Sequence, residues 1–287
     1  MLQVARLAPN LLQEATDKVA EFLNEQWNED GGACDRAGAS DLYYTVFTLE
    51  GLTALQRPLP AETVLPWLER FGTGEGLDLV HLGCLVRAWK ALGEMPFRGE
   101  EKAVILSRLE QHRSADGLYS PRIGAETGTA YHAFLALGAY EDFDEAIPDS
   151  GKLLEGLAAL RTEDGGYSND PVMRIGAAPA TAAAVVIQHR LDVPMDREVG
   201  QWLLAQSHDQ GGFKAIPQAP IPDLLSTAVV LHALATLEVS FESVKEKCLD
   251  FVDSLWTGRA FCGNWTDDDT DSEYLWYGLL ALGHLSL

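Results

Sequence analysis

Polar and apolar positions along the chain follow one repeated pattern. A segment with apolar residues on a single helical face, such as 10–25 or 196–205, runs into a glycine-rich turn. A variable loop and a polar residue then lead into a segment that is nearly all apolar. A helix with one apolar face lies on the outside of a protein, whereas a helix that is apolar all round lies inside. Each unit is therefore predicted to be a hairpin of an outer and an inner helix.

This unit occurs six times. The glycines that mark the turns are Gly32, Gly76, Gly117, Gly166, Gly212 and Gly263. Their separations are 44, 41, 49, 46 and 51 residues, a spacing that favours stacked helical repeats over separate domains. Glycine suits these turns because it adopts positive φ without steric conflict. Polar residues at the starts of inner segments, such as Ser40, Asp223 and Asp271, are predicted to cap the inner helices.

Six helical pairs can close into an all-α toroid, an α6/α6 barrel whose inner helices surround a central cavity. Every glycine-rich turn leads into the N-terminus of an inner helix, so the turns gather at one end of the ring. That end is predicted to be the functional mouth. No linker rich in proline or serine interrupts the chain, so residues 1–287 are predicted to form a single domain.

Charge and composition narrow the possible partners. The chain has 43 acidic and 21 basic residues and a formal charge of −22, which disfavours nucleic-acid binding and suits a solvated surface or a basic protein partner. No apolar stretch is long enough to span a membrane, and no secretory signal is recognisable. The four cysteines lack a Cys-x-x-Cys pair. A cytoplasmic protein with reduced thiols is predicted.

The turns also carry a family resemblance. The stretch LLAQSHDQGGF at 203–213 resembles the Gln-Gly-aromatic repeat of squalene and terpenoid cyclases. The order Gly-Gly-aromatic, loop, acid and helix resembles the β subunit of protein prenyltransferases. The resemblance covers essentially the whole chain and implies a toroid that receives an isoprenoid or other apolar ligand in its cavity. It also implies that a partner subunit is possible, because protein prenyltransferases work as heterodimers.

The resemblance does not extend to the prenyltransferase zinc site. That family holds zinc with an Asp-x-Cys in the fifth inner helix and a His in the sixth, and the matching positions are Asp223, Leu225 and Tyr274. A catalytic zinc needs three protein ligands, so the single Asp does not suffice. Two positions for diphosphate-binding cations hold Pro217 and Pro220. The sequence therefore predicts no metal and no cofactor, and it disfavours a prenyltransferase β-like subunit.

A run of carboxylates precedes the last inner segment. TDDDT at 266–270 is one residue short of Asp-x-Asp-Asp-Thr, the motif with which class II terpenoid cyclases protonate an alkene. Carboxylates that lie close together repel one another when ionised, so the pKa of at least one of them is raised. A raised pKa is what a carboxyl group needs to act as a general acid. The candidate catalytic residues are Asp267, Asp268, Asp269 and Asp271, with Asp268 and Asp269 as candidate acids. The alternative is that the run caps the helix.

Aromatic residues of the inner segments supply a candidate binding site. The fourth inner segment, ATAAAVV, consists of residues with small side chains, which leaves room for an apolar ligand. The aromatic rings of the other inner segments would face that ligand with π surfaces that suit a carbocation. The candidate ligand-binding residues are Tyr44, Phe47, Glu126, Tyr131, His132, Asp223, Tyr274, Trp276 and Tyr277. Glu126 and His132 are candidates for an acid/base pair at the mouth. The alternative for these residues is ordinary core packing, with Glu126 as a helix cap.

Two functions of different classes stay open. The first is a prenyltransferase-like or terpenoid-cyclase-like protein that binds an isoprenoid or other apolar ligand, with zinc-independent, proton-initiated chemistry if it is an enzyme. The second is a non-catalytic toroid scaffold that binds a protein partner, which the missing zinc and diphosphate residues favour. An open, aromatic-lined cavity would support the first, and a cavity filled by its own side chains would support the second.

Overall fold

A computed structural model describes residues 1–287. Fourteen helices and one two-stranded antiparallel sheet make up the chain. In chain order they are α1 (Leu2–Ala5), α2 (Pro9–Leu12), α3 (Ala15–Asn24), β1 (Ala33–Cys34), β2 (Ser40–Asp41), α4 (Leu42–Ala54), α5 (Ala61–Glu69), α6 (Leu79–Leu92), α7 (Gly99–Gln111), α8 (Ala130–Asp142), α9 (Ser150–Ala159), α10 (Ala178–Arg190), α11 (Glu198–Leu204), α12 (Leu224–Thr236), α13 (Glu242–Ser254) and α14 (Ser272–Leu285).

The even-numbered helices from α4 to α14 form a closed inner ring. Each packs against the next, and α14 returns to pack against α4. The odd-numbered helices from α3 to α13 lie outside them, and the largest buried apolar cluster fills the space between the two layers. The predicted all-α toroid of six helical hairpins is therefore confirmed. None of the helices combines the length and the apolar character that crossing a bilayer requires.

The glycine-rich turns fix how each hairpin approaches its neighbour. In the fifth unit Gly211 has φ +100°, and a Cβ there would strike the backbone oxygen of Lys247 on α13. A Cβ on Gly212 would lie 2.5 Å from the ring of Phe251. Only glycine therefore permits this close packing. Beyond the turn, a buried threonine of the inner helix accepts a hydrogen bond from the turn backbone at 2.9 Å, and the donor–acceptor pairs are Ala33–Thr45, Tyr167–Thr181 and Phe213–Thr227.

Two local predictions need correction. The predicted outer helix over 10–25 is interrupted at Gln13, whose φ is +48°, so α2 and α3 are separate helices. Ser40 does not cap the first inner helix, because Asp41 lies at that position and accepts hydrogen bonds from the backbone of the first turn. Asp223 and Asp271 cap α12 and α14 as predicted.

Each inner helix has a face on which side chains are partly accessible to solvent. On α4 the partly exposed positions are Tyr43, Phe47 and Glu50, and on α6 they include Cys84 and Arg87, with mostly buried residues between them. A spacing of three or four residues places these side chains on one helical face. The opposite faces pack against the outer helices. The accessible faces therefore surround the axis, and the channel between them is called the lumen below.

Candidate functional site

Aromatic side chains from separate inner helices converge at the mouth end of the lumen. On α4 the rings of Tyr43 and Phe47 meet edge to face with centroids 4.8 Å apart, and Phe47 lies 5.8 Å from Tyr277 of α14. Tyr131 of α8 faces Tyr43 and Glu273 across the lumen. These five residues, Tyr43, Phe47, Tyr131, Glu273 and Tyr277, are called the mouth cluster. They join the neighbouring helices α4 and α14 to α8, which is adjacent to neither of them in the ring.

Glu273 is the acidic member of the mouth cluster. The Tyr43 hydroxyl donates a hydrogen bond of 2.7 Å to its Oε1. Burial raises the pKa of Glu273, this hydrogen bond opposes the rise, and the nearby charge of Asp271 adds to it. A carboxyl with a raised pKa in an accessible cavity is a candidate general acid. Glu273 was not predicted from the sequence, although its position four residues before Tyr277 places both on one helical face.

The tyrosines of the mouth cluster remain neutral. Burial raises the pKa of Tyr131 to about 12 and raises the pKa values of Tyr43 and Tyr277 further. Burial also raises the pKa of Tyr44 to about 12. Neutral hydroxyls can donate hydrogen bonds to a ligand, and the rings keep the π faces that attract a cation. The cluster therefore combines apolar surface with a few polar groups.

The carboxylates predicted as acids lie in a different environment. Asp268 and Asp269 are exposed, and the side chain of Asp269 keeps 76% of its accessible surface. Asp267 and Asp271 form ion pairs with Arg36 at 3.0 and 2.7 Å. An alkene-protonating acid must be shielded from water to stay protonated. This placement disfavours Asp268 and Asp269 as proton donors, and the backbone hydrogen bond from Tyr274 to Asp271 supports the capping alternative.

Arg36 closes the ring at the mouth. It belongs to the loop between β1 and β2 in the first unit, and it reaches Asp267 and Asp271 of the sixth unit. Its guanidinium also lies 5.3 Å from the centroid of the Tyr274 ring. Arg36 was not predicted from the sequence. The available signal was that it is the one basic residue within 35–41 and 263–271, two acidic stretches in units that become neighbours on ring closure.

The predicted acid/base pair of Glu126 and His132 is not formed. Glu126 is exposed in the loop before α8, and Thr129 caps this helix instead. His132 Nδ1 lies 2.7 Å from the Thr129 hydroxyl, and burial lowers the pKa of His132. Thr129 therefore occupies the position before α8 that Asp223 occupies before α12. The capping role proposed for Glu126 is therefore wrong as well.

Two further candidates differ in their relation to the lumen. Asp223 caps α12 and accepts hydrogen bonds of 2.7 Å from the backbone and hydroxyl of Ser226, and burial raises its pKa. It lies near Tyr274 and Tyr277. Trp276 is only 3% exposed and belongs to the packed core rather than to the accessible face. Asp223 is therefore available at the mouth, whereas Trp276 is not.

The residues present do not fit a metal ion. No three His, Cys, Asp or Glu side chains are grouped to bind one. Leu225 offers no donor atom beside Asp223. His81 uses both ring nitrogens on carboxylates, with Asp41 at 3.1 Å and Asp78 at 2.8 Å, and the hydrogen bond to Asp41, supported by Asp78, raises its pKa to about 9. His81 therefore links the first two inner helices as a cation.

The opposite end of the lumen is charged. Arg87 binds Glu50 at 3.1 Å and Asp142 at 2.6 Å, which joins α4, α6 and α8. His232 Nδ1 lies 3.1 Å from His284 Nε2, and burial lowers their pKa values to about 3 and about 4. These five residues are called the floor. Their charges and imidazoles mark the end of the apolar part of the lumen.

Comparisons with known proteins agree with this architecture. The model of the prenyltransferase alpha-alpha toroid domain matches residues 12–81, 79–193 and 179–282. Candida albicans protein geranylgeranyltransferase-I complexed with GGPP is 14% identical, covers 94% of this chain and 90% of its own, and has a TM-score of 0.73. Type II terpene cyclase MstE from Scytonema is 15% identical, covers 96% and 97%, and has a TM-score of 0.61. These likenesses show the fold alone. No curated protein sequence matches significantly.

Proposed function

The chain belongs to the prenyltransferase alpha-alpha toroid family, and we propose that its lumen binds an isoprenoid-type ligand at the mouth cluster. The observation that carries this proposal is the convergence of four aromatic rings around Glu273. Two proteins of similar fold support an isoprenoid ligand. The geranylgeranyltransferase structure contains GGPP, and a MstE variant is in complex with geranylgeranyl dihydroxybenzoate. Aromatic rings bury an apolar chain well and stabilise positive charge beside it.

The part of the lumen below the mouth cluster suits a hydrocarbon chain. Leu135 of α8, Ala183 of α10 and Val229 of α12 are partly exposed there, and they are called the apolar belt. Each CH₂ buried against such side chains contributes about 0.8 kcal/mol. The charged floor opposes deeper entry, because an apolar chain would remove water from ionised groups. The ligand is therefore expected to occupy the mouth and the belt and to stop above Arg87.

The same geometry supports proton-initiated chemistry with Glu273 as the acid. The O–H proton of Glu273 transfers to an alkene carbon, and the π electron pair forms the new C–H bond. The products are a carbocation and the Glu273 carboxylate, with the cation facing the rings of Tyr43 and Tyr277. Loss of a neighbouring C–H proton to the carboxylate restores the acid and leaves an isomer of the substrate. In this proposal Glu273 replaces Asp268 and Asp269.

A scaffold that binds a protein partner is the second candidate. The observation in its favour is the exposed acidic cluster of Asp268 and Asp269 at the mouth, where no lumen ligand needs it. A scaffold does not require a ligand in the lumen, so a measurement of ligand binding distinguishes the two proposals.

Titration calorimetry with geranylgeraniol tests the proposed function. The alcohol is the appropriate probe because Arg36, the cation next to the Tyr274 ring, is already paired with Asp267 and Asp271. Wild-type protein should bind it, and Ala183→Trp should reduce affinity at least tenfold by filling the apolar belt. The control Glu155→Trp adds the same side chain to the exposed face of α9 and should bind like wild type. Absence of binding to wild type, or equal affinities for both variants, would favour the scaffold.

A further inference from the structure

Exposed apolar side chains are concentrated on one half of the mouth rim. Eight large hydrophobic residues of the chain are exposed, and five of them lie in the loops that lead into α8, α10 and α12. These five, called the apolar rim, are Ile123, Val172, Met173, Ile175 and Ile216. Val172 is 78% exposed and Ile123 is 65% exposed. Side chains this exposed contribute little to the fold, and such a concentration marks an interaction surface.

The three loops form one continuous surface beside the lumen. The backbone N–H of Tyr131 donates to the side chain of Asn169 at 3.2 Å, which joins the third unit to the loop of the fourth. The backbone N–H of Ala178 donates to the oxygen of Ala215 at 2.7 Å, which joins the fourth unit to the loop of the fifth. Tyr131 is also a member of the mouth cluster. The apolar rim therefore borders the opening of the lumen directly.

Each of these loops also places a cation next to its apolar residues. Arg122 precedes Ile123, Arg174 lies between two apolar-rim residues, and Lys214 is two residues before Ile216. The Arg174 side chain is 80% exposed and pairs only loosely with the exposed Glu163, at 3.6 Å. The same loops also carry the exposed acids Glu126, Glu163 and Asp170.

The other half of the rim has the opposite character. The loops 35–41, 72–78 and 263–271 carry Asp35, Asp41, Glu75, Asp78, Asp267, Asp268, Asp269 and Asp271. Arg36 is the one basic residue in these loops, and it is paired with Asp267 and Asp271. The mouth therefore presents one half that is almost purely acidic and another half in which exposed apolar side chains lie beside both basic and acidic ones.

We propose that the apolar rim docks on the surface of a lipid bilayer that contains anionic phospholipids. Loop tips that combine apolar and basic residues suit the headgroup region, where the apolar side chains insert and the cations bind phosphates. A protein-binding surface would instead have a continuous core that is depleted of charge. The net charge of −22 does not prevent docking, because charges beyond the Debye length of about 8 Å are largely screened. The acidic half is repelled by the bilayer, which sets the orientation.

This orientation places the lumen opening at the bilayer surface. An apolar ligand dissolved in the bilayer then reaches the mouth cluster without crossing water. This ligand route rests on the proposed function, whereas the docking itself requires no ligand. The two proposals can therefore fail separately.

Vesicle flotation of the full chain without added ligand tests the docking. Wild-type protein should float with vesicles of phosphatidylcholine and phosphatidylserine and much less with phosphatidylcholine alone. The variants Val172→Ser/Met173→Ser and Arg122→Glu/Arg174→Glu should each reduce the floated fraction at least fivefold. The control Leu11→Ser/Arg197→Glu changes one exposed apolar and one exposed basic residue outside these loops and should float like wild type.

Either of two outcomes would overturn the docking proposal. One is that wild type does not float with anionic vesicles, and the other is that the rim variants float as well as the control. Light scattering after size-exclusion chromatography tests whether the apolar rim instead binds a second copy of the chain. In that case wild type would not float but would be a dimer, and the dimer would dissociate in Val172→Ser/Met173→Ser. Geranylgeraniol binding by protein that does not float would overturn the docking and leave the proposed function standing.

Discussion

The two ends of the lumen hold their carboxyl groups in different ways. At the floor, Arg87 binds both Glu50 and Asp142, so a full positive charge opposes the rise that burial causes in the pKa of Asp142. At the mouth, Glu273 receives a hydrogen bond from the neutral hydroxyl of Tyr43, and burial raises its pKa. Burial raises the pKa of both Asp142 and Glu273, so the two sites differ in the partner: a cation holds Asp142 in an ion pair, whereas Glu273 has only a neutral hydroxyl.

The largest expected effect is at the floor. Arg87→Met removes the cation and leaves Glu50 and Asp142 without their partner. Breaking a buried pair in this way costs about 3–5 kcal/mol, and because water in the lumen reaches part of Arg87 we expect about 3 kcal/mol. Urea unfolding measures the loss. The control Arg197→Met breaks an exposed pair of similar length and should change stability by less than about 0.5 kcal/mol. Equal losses in both variants would contradict a structural floor.

The histidines of the floor predict a loss of stability in acid. His232 and His284 are neutral in the folded state, because burial lowers their pKa values to about 3 and about 4. The unfolded chain binds protons below its ordinary histidine pKa of about 6.5. Stability from these groups is therefore complete above pH 6.5 and is lost as the pH falls toward 4. Between pH 7 and 5 we expect a loss of about 2 kcal/mol from each histidine.

Urea midpoints at several pH values measure this effect. The variant His232→Gln/His284→Gln is neutral at every pH and keeps side chains that form hydrogen bonds. Its stability should fall less steeply than that of wild type between pH 7 and 5. Parallel pH profiles for the two proteins would show that the floor histidines do not titrate on unfolding.

A smaller effect is expected where the ring closes at the mouth. Arg36→Ala removes the ion pairs to Asp267 and Asp271 and should destabilise the fold by about 1 kcal/mol, because Arg36 is partly exposed. The rate of backbone amide hydrogen exchange should increase in residues 35–41 and 264–271 and should remain unchanged at the floor. Arg70→Ala, which removes the long exposed pair with Asp30, is the matched control. Faster exchange throughout the ring would mean that the mouth and the floor are not independent.

The smallest effect on stability is expected for Glu273→Gln. Glutamine keeps an oxygen that accepts the Tyr43 hydrogen bond, so we expect a change within about 1 kcal/mol. Isomerisation of a polyprenyl alkene should nevertheless be abolished, since the amide has no acidic proton to transfer. Product analysis by gas chromatography compares it with Asp269→Asn, which should remain active. Full activity of Glu273→Gln, or inactivity of Asp269→Asn alone, would reverse the assignment of the acid.

The repeated pattern was sufficient to predict the fold. Six glycine-rich turns and six apolar segments define the hairpins, and the turn contacts of Gly211 and Gly212 show why glycine is needed there. The break at Gln13 was not predictable, because neither glycine nor proline occupies the position that adopts positive φ. The cap at Thr129 was not predictable for a different reason: the loop length varies between units, so the distance from the glycine-rich turn does not identify the first residue of the inner helix.

The site was predictable only in part. Phe47, Tyr131 and Tyr277 were predicted as ligand-binding residues, and the structure brings them together. Glu273 and Arg36 were not, because their partners are 230 and 235 residues away along the chain. A local pattern shows that a residue is acidic or basic, but the pKa of Glu273 depends on burial and on a tyrosine supplied by the first unit.

Mass spectrometry of lipid extracted from gently purified protein tests the central claim most directly. We expect a polyprenyl compound in near-stoichiometric amount on wild type and on Glu155→Trp, and we expect its loss from Ala183→Trp. A wild-type protein that carries no such compound and does not acquire one from geranylgeraniol, or an Ala183→Trp variant that is equally loaded, would contradict a ligand site in the lumen.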